Sequence, residues 1–513
     1  MARYVISHRL SGMTEGSERT ASLNAAQEFF GTHLEKNVDT VSKSGGSGRG
    51  KSAKDRRFIS VFEADPHEIE AKAASAAADV IIEPELLRRP MRSHPAEIES
   101  LLRNVPFSLT PGAGTTLTVT LRGAGNPVPG AHLTLFLQDA TRGSHSSAKA
   151  TTDETGAASF NFDPDYTPIS MLVDPVASWF STVIPAPISA TPIELTALPM
   201  TGPLGWWHEI MGRTTDSRVG DGIRVGVVDT GCGPHPYLSA VKVVGAFIDG
   251  SFKSGSSAGS DARDHGTHVC GLIGATPPDA STDYAGAAQA AEILCARVFT
   301  ANGGGNQGDI AAAIERLSLD DNADLINLSL GASQPSQIER DAVADMVNAG
   351  TLCICAAGND YGGPVNYPAA YPEAVAVSAI GIRSALVPGT LASMNVPTGA
   401  DSSLKEGPNG VFLGSFSNVG KEVTVTGPGV GIISTVPARE GLEAPYAAMS
   451  GTSMATPLVT AALASLLGED ARYKQLPRER ERAAYASTLL AQTAINLGMA
   501  RPFQGFGLCR AMH

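Results

Sequence analysis

Three short segments of this chain carry side chains that together can activate a serine. Gly451-Thr452-Ser453-Met454-Ala455-Thr456-Pro457 sets a hydroxyl at the mouth of an apolar, alanine-rich helix expected to run to about Leu467. A serine hydroxyl alone is a weak nucleophile and needs a base and an acid that orients the base. Val225-Gly226-Val227-Val228-Asp229-Thr230-Gly231 reads as a buried strand ending in an acid, and Asp264-His265-Gly266-Thr267-His268-Val269 sets a histidine at a glycine-rich helix start. The order Asp229, His265, Ser453 is one of the chain orders in which a hydrolytic triad occurs. In such a triad Ser453 is the nucleophile, favoured by the positive end of its helix, and His265 takes the proton and later gives it to the leaving amine. Asp229 fixes the imidazole tautomer and stabilises the imidazolium.

A fourth segment, Cys355-Ala356-Ala357-Gly358-Asn359, is an apolar strand ending in an amide that can donate to a tetrahedral oxyanion. Together the four segments resemble the subtilisin-like serine proteases, the subtilase family. The resemblance assigns Asp229, His265 and Ser453 to the triad and Asn359 to the oxyanion hole. It further implies that Ser329, Leu330 and Gly331 form a strand edge pairing with an extended peptide, with Gly303, Gly304 and Gly305 as the opposing edge. Asn366 falls at the floor of the primary specificity pocket, with Asp360 close in sequence making that pocket polar. The implied partner is a peptide or protein substrate, and the implied reaction is hydrolysis of peptide bonds through an acyl-enzyme on Ser453. A peptidyl transferase or macrocyclase shares that chemistry up to the choice of water or amine. A non-catalytic binding protein on a protease scaffold is a further alternative, against which the intact set of four residues speaks.

These residues need rigid elements behind them. From about Gly202 onward, short and nearly all-apolar runs (residues 223–228, 292–299, 324–330, 351–357 and 374–380) alternate with helical patterns. Ile310, Ile314 and Leu317 mark one helix face, and Ile338, Ala342 and Met346 another that Gly350 ends. Such alternation makes a parallel sheet covered by helices, with reactive side chains at the carboxyl ends of strands. The expected fold class is therefore α/β: a subtilisin-like doubly wound parallel sheet over residues 202–513, preceded by two smaller regions.

Residues 1–90 alternate strand and helix patterns, with strands at Tyr4-Val5-Ile6, at residues 57–62 and at residues 79–83, a helix over residues 21–34 and another opened by Asp65-Pro66. This order resembles the small inhibitor-like α+β prodomain of many subtilases, which makes the chain's own amino-terminal domain an expected intramolecular inhibitor. A Gly/Ser segment over residues 42–51 reads as a linker. Residues 105–198 alternate with period two and resemble a small β-sandwich, a spacer or binding module. Self-cleavage is expected just before Leu204-Gly205-Trp206-Trp207, with residues 194–200 extended across the cleft; a cut near Arg88-Arg89-Pro90 is the second choice.

At 513 residues the chain exceeds one ordinary domain, and its net charge of -13 argues against a nucleic-acid binder. No apolar run is long enough for a membrane span, no signal-like segment opens the chain, and the six cysteines lack disulfide-framework spacing, which points to a cytoplasmic protein. Cys232 and Cys270 flank the triad segments and read as buried thiols; His268 reads as structural. No cofactor is required for the chemistry. Calcium often stabilises subtilases, but no oxygen-rich loop identifies a site here, and Asp320, Asp321 and Asp324 read as a solvated turn.

Overall fold

The structure is a computed structural model that describes residues 2–9, 34–38, 57–67, 69, 80–92, 116–139, 143–188, 192–199, 204–212, 216–279, 283–399 and 401–511. The amino-terminal strands β1 (Ala2–Arg9), β2 (Leu34–Val38), β3 (Arg57–Ala64) and β4 (Val80–Pro84) form an antiparallel sheet in the order β2-β3-β1-β4. The three expected strands are present. The helix expected over residues 21–34 lies outside the described residues apart from Leu34, which begins β2, and the Gly/Ser segment 42–51 lies outside them entirely. A helical turn does start at Pro66. Next comes β5 (Leu87–Pro90), which leaves this sheet to pair elsewhere.

Two four-stranded sheets follow. One contains β6 (Thr116–Gly123), β7 (Asn126–Pro127), β10 (Ala157–Asn161) and β13 (Ile193–Leu195); the other contains β8 (His132–Asp139), β9 (His145–Thr151), β11 (Tyr166–Asp174) and β12 (Thr182–Pro185). Alternation sends Val119 and Leu121, Leu133, Leu135 and Leu137, Phe160, Met171 and Val173 into one shared core. Before β10, Asp153 Oδ1 accepts from the backbone N–H groups of Thr155 and Ala157. Thus the side chain supplies the turn's hydrogen bonds.

The largest sheet contains β14 (Arg224–Asp229), β15 (Lys242–Ile248), β16 (Ser251–Ser254), β17 (Glu292–Arg297), β19 (Leu325–Leu328), β21 (Leu352–Ala356), β22 (Val375–Ile382), β23 (Val411–Leu413) and β24 (Val423–Pro428). From β15 through β17, β14, β19, β21 and β22 to β24 every neighbouring pair is parallel. Its strands are buried on both faces, as all-apolar runs require. Val225, Val227 and Ile354 face one core with α2 (His265–Gly274) and α5 (Thr452–Glu469); Val228, Ile326 and Cys355 face the other with α3 (Gln307–Glu315) and α4 (Gln337–Asn348). Ile310 and Ile314 lie on α3, Ile338, Ala342 and Met346 on α4, and Gly350 follows with φ +84°. Among the described residues no helix is long and apolar enough to cross a membrane.

Both preceding regions pack on this unit. Val5, Ile59 and Val61 join the core on the α3 side. Gly308 permits that contact: a Cβ there would come within 2.7 Å of Ile59 and 2.8 Å of Val5. The Glu83 carboxylate accepts from Ser336 Oγ (2.6 Å) and Gln337 N (2.5 Å), so it caps α4 from outside. From the two-sheet region, Ser178 N donates to Tyr446 O (2.9 Å) and Ser181 O accepts from Leu391 N (2.7 Å), while Ala177 and Phe180 enter the core on the α2 and α5 side.

Of the segment expected across the cleft, residues 194–199 are elsewhere, and Met200 lies outside the described residues. Ile193–Leu195 pair in parallel with β6, and Leu198 is buried with its N–H on Ser178 O. Its apolar side chains are worth more in those cores than along a polar cleft. The second-choice segment takes the place instead.

Candidate active site

β5 lies between two short edges, β18 (Gly305–Asn306) and β20 (Leu330–Gly331), antiparallel to both. Arg88 pairs with Gly305 and Leu87 with Asn306 on one side; Pro90 pairs with Leu330 and Arg89 with Gly331 on the other. Pro90 has no N–H to give, and the ladder asks for none there, because Met91 N reaches Ser329 O at 3.0 Å. Gly304 meets the Arg88 carbonyl directly: a Cβ would lie 2.7 Å from that oxygen. Gly303 lies before the paired residues Gly305–Asn306, and its carbonyl accepts from Arg263. The Met91 methyl rests beside Gly331 and buried Asn366. Asp360 accepts from Asn366 Nδ2 (2.8 Å) and Asn418 Nδ2 (2.9 Å), so it fixes the amide of Asn366.

The Met91 carbonyl then lands on Ser453. Its oxygen accepts from Ser453 N at 3.0 Å. Ser453 sits in the first turn of α5, a helix buried over almost its whole length. Pro457, in that helix, has no N–H and so releases the carbonyl four residues earlier, that of Ser453. Ser329 Oγ satisfies it at 3.0 Å, while Ser453 Oγ donates to Ser329 O at 2.9 Å. Asn327, held by Thr460, donates to Ser329 Oγ in turn.

Asn359 is oriented by its oxygen. Oδ1 accepts from both Thr452 N and Thr452 Oγ1 at 2.9 Å, which leaves Nδ2 buried and without a partner among the described residues. That nitrogen and the Met91 oxygen both border Gly451, where a Cβ would lie 3.2 Å from the first and 2.3 Å from the second.

Asp229 ends β14, and its Oδ1 lies 2.7 Å from His265 Nδ1 and accepts from Thr230 N. Both side chains are buried, and His265 Nε2 has no hydrogen-bond partner among the described residues. His265 opens α2, which packs against α5, but the nucleophile–base hydrogen bond is not made while Ser453 Oγ points at Ser329.

A residue that sequence reasoning missed ties the acid loop to the base helix. Asp261 accepts from Thr230 Oγ1 (2.7 Å), Thr267 N (2.7 Å) and Thr267 Oγ1 (2.5 Å), and Thr230 Oγ1 accepts from Gly266 N. Burial raises the Asp261 carboxyl above the usual range despite these bonds. No local motif marks it.

His268 is structural. Nε2 donates to the Ile432 and Ala447 carbonyls, and burial first, then the neighbouring charges of His265 and Arg92, push its pKa down to about 3. Its ordinary value is about 6.5, so the unfolded chain binds the proton first as pH falls. Stability from this residue is complete above about pH 6.5 and is lost from there toward about pH 3. In an inactive Ser453→Ala background, protein with His268 should lose about 2 kcal/mol more than His268→Gln between about pH 6.5 and about pH 5. Urea unfolding at the two pH values checks this, and parallel losses would refute it.

All six cysteines are free and buried. Contacts with Cys232 and then Cys295, together with burial, push the Cys270 thiol up, so it stays protonated and inert. Asp321 and Asp324 are not a solvated turn: both are buried and paired, Asp321 with Arg316 and Lys242, Asp324 with Arg478 and Arg482. The carboxylates had to be neutralised once the sheet buried them. Among the described residues no group of three His, Cys, Asp or Glu side chains converges as a metal site.

An acid–imidazole pair, a serine at the head of a buried helix and an amide beside a carbonyl held by that serine's N–H are the parts of an acyl-transfer serine hydrolase. The Subtilase family model matches residues 220–508, more than half of the chain. The chain belongs to the subtilase family and carries a subtilisin-like serine endopeptidase domain. It is 33% identical over 289 residues to the minor extracellular protease Epr of Bacillus subtilis, a match covering 56% of this chain and 37% of that protein. It is 32% identical over 251 residues to the major intracellular serine protease of the same organism, covering 48% and 68%. To Subtilisin Savinase of Lederbergia lenta it is 33% identical over 247 residues, covering 48% and 76%. The match thus spans little more than a third of Epr but over two thirds of the other two.

Proposed function

We propose that the whole chain is a serine endopeptidase precursor whose amino-terminal domain is a tethered inhibitor, and that it cuts itself between Met91 and Arg92. In this reading the region of residues 1–90 is a prodomain, and residues 105–198 form a β-sandwich that stays with the mature enzyme. Ser453 Oγ passes its proton to His265 Nε2 and attacks the carbonyl carbon. Asp229 holds His265 in the required tautomer. The oxygen, negative in the tetrahedral state, takes hydrogen bonds from Ser453 N–H and Asn359 Nδ2. His265 then protonates the leaving amine, and water completes hydrolysis of the acyl-enzyme. Subtilases need no cofactor for this chemistry, and no step above is routed through a metal.

The observation that carries the reading is the Met91 carbonyl, 3.0 Å from Ser453 N at the end of a strap paired on both sides. Linkage keeps the strap at high effective concentration, which favours one intramolecular cut and continued occupancy. Beyond the bond, Arg92 lies 3.5 Å from Asp174 of the sandwich. The two border a cavity of about 310 Å³ that Trp179, Asp264 and Arg439 also line, so the sandwich walls the side where a leaving peptide sits. Six unpaired, buried thiols favour a reducing, intracellular setting.

Ser453 should be labelled by a fluorophosphonate probe in the processed enzyme, and a linear peptide should yield two fragments whose masses include one added water. Labelling without fragments would sink the endopeptidase reading, and ligated or cyclic products would assign the acyl-enzyme to a transferase.

A further inference from the structure

Alternation along β5 turns successive side chains to opposite sides. Arg89 reaches outward to Asp360 at 2.6 Å, with exposures of 55% and 37%. Arg88 turns inward. Its Nε and Nη2 meet Glu339 Oε1 and Oε2 at 3.1 and 2.9 Å, a bidentate pair in which both side chains have no exposed surface. Glu339 belongs to the first turn of α4, and Tyr371 Oη lies 3.3 Å from its Oε2. Among the described residues no other cation pairs with this carboxylate.

Counting back from the bond at Ser453, Met91 is the first residue, Pro90 the second, Arg89 the third and Arg88 the fourth. We propose that Glu339 makes the fourth subsite selective for arginine, so that the substrates are polypeptides with arginine four residues before the cleaved bond. The proposal rests on the endopeptidase reading above and names the substrate class of that same site.

The strap occupies the ladder positions that a substrate must take once it leaves, so the groove that closes over Arg88 closes over the substrate's fourth residue. An aliphatic residue there strips water from Glu339 and offers nothing in return, which is the costly way to bury a charge. Arginine restores both hydrogen bonds in the planar geometry a carboxylate accepts; lysine brings a single point charge and only part of the match. The outward third position discriminates little, because the Arg89–Asp360 pair stays in water. Burial opposes the charge on Arg88, yet Glu339 outweighs it and holds the guanidinium above its ordinary pKa.

The test uses processed enzyme and a fluorogenic series Xaa-Arg-Pro-Met, with Xaa as arginine, lysine or norleucine. kcat/KM should fall about 100-fold from arginine to norleucine, with lysine between. In Glu339→Gln the arginine-to-norleucine ratio should drop to within about threefold. Wild-type enzyme that cuts both peptides equally well overturns the subsite assignment and leaves the endopeptidase reading standing. Enzyme that cuts neither overturns both. A Glu339→Gln enzyme that keeps the full preference also overturns the assignment, and should that variant fail to fold, the wild-type series decides alone.

Discussion

Ser453→Ala should lower turnover by about a millionfold and leave the purified chain uncut at 513 residues. Removing the nucleophile of a triad costs nearly as much as removing all three members, because the remaining two have nothing to activate. What survives is binding and the two oxyanion donors, since Ser453 N–H is a backbone group that alanine retains. The alanine chain should therefore still fold with Met91 O on the N–H of residue 453 and Arg88 against Glu339. Intact mass and assay on a linear peptide check both halves of the expectation. A cut alanine chain, free of contaminating protease, would remove Ser453 from the chemistry.

Asn359→Ala should lower kcat about 100- to 1000-fold while changing KM little, the magnitude found when the oxyanion-hole asparagine of subtilisin is removed. The geometry explains the split. With a planar carbonyl in the site, Met91 O is held by Ser453 N, and Asn359 Nδ2 has no partner within hydrogen-bond reach among the described residues. Thr452 fixes the amide by its oxygen, so the nitrogen cannot turn away to find one. Its bond forms only as the oxygen becomes tetrahedral, and interactions made only in the transition state appear in kcat. Steady-state kinetics on a peptide ester or amide decide; a mutant whose KM rises at constant kcat would make Asn359 a ground-state binding group.

The segments proposed to hold the triad and Asn359 are legible because each lies in a contiguous run whose local pattern also dictates its element: an apolar strand ending in Asp229, a glycine-rich helix start at His265, a buried helix at Ser453. The parallel sheet was legible for the same reason, since strands buried on both faces must be apolar throughout. What the sequence hid are contacts between segments far apart. Arg88 and Glu339 are separated by 251 positions, and nothing local at either marks the other. Asp261 reads as one more loop acid until Thr230 and Thr267 close on it. Asp324 reads as solvated because Arg478 and Arg482 come from far along the chain, and Asp321 because Lys242 does; only its other partner, Arg316, is near in sequence. In the sequence, residues 194–200 stand first because they precede Leu204-Gly205-Trp206-Trp207, which resembles the aromatic segment early in mature subtilases. Yet Leu195 and Leu198 bury in apolar cores, whereas two arginines before Pro90 find two carboxylates in the cleft.

The most direct measurement is the amino-terminal residue of the processed wild-type enzyme, read by sequencing or by intact mass beside Ser453→Ala. Arg92 is the expected first residue, with the sandwich retained on the catalytic domain and the amino-terminal fragment ending at Met91. A terminus near Leu204, or a full-length chain that is uncut and fully active, would contradict the assignment of Met91–Arg92 as the bond presented to Ser453.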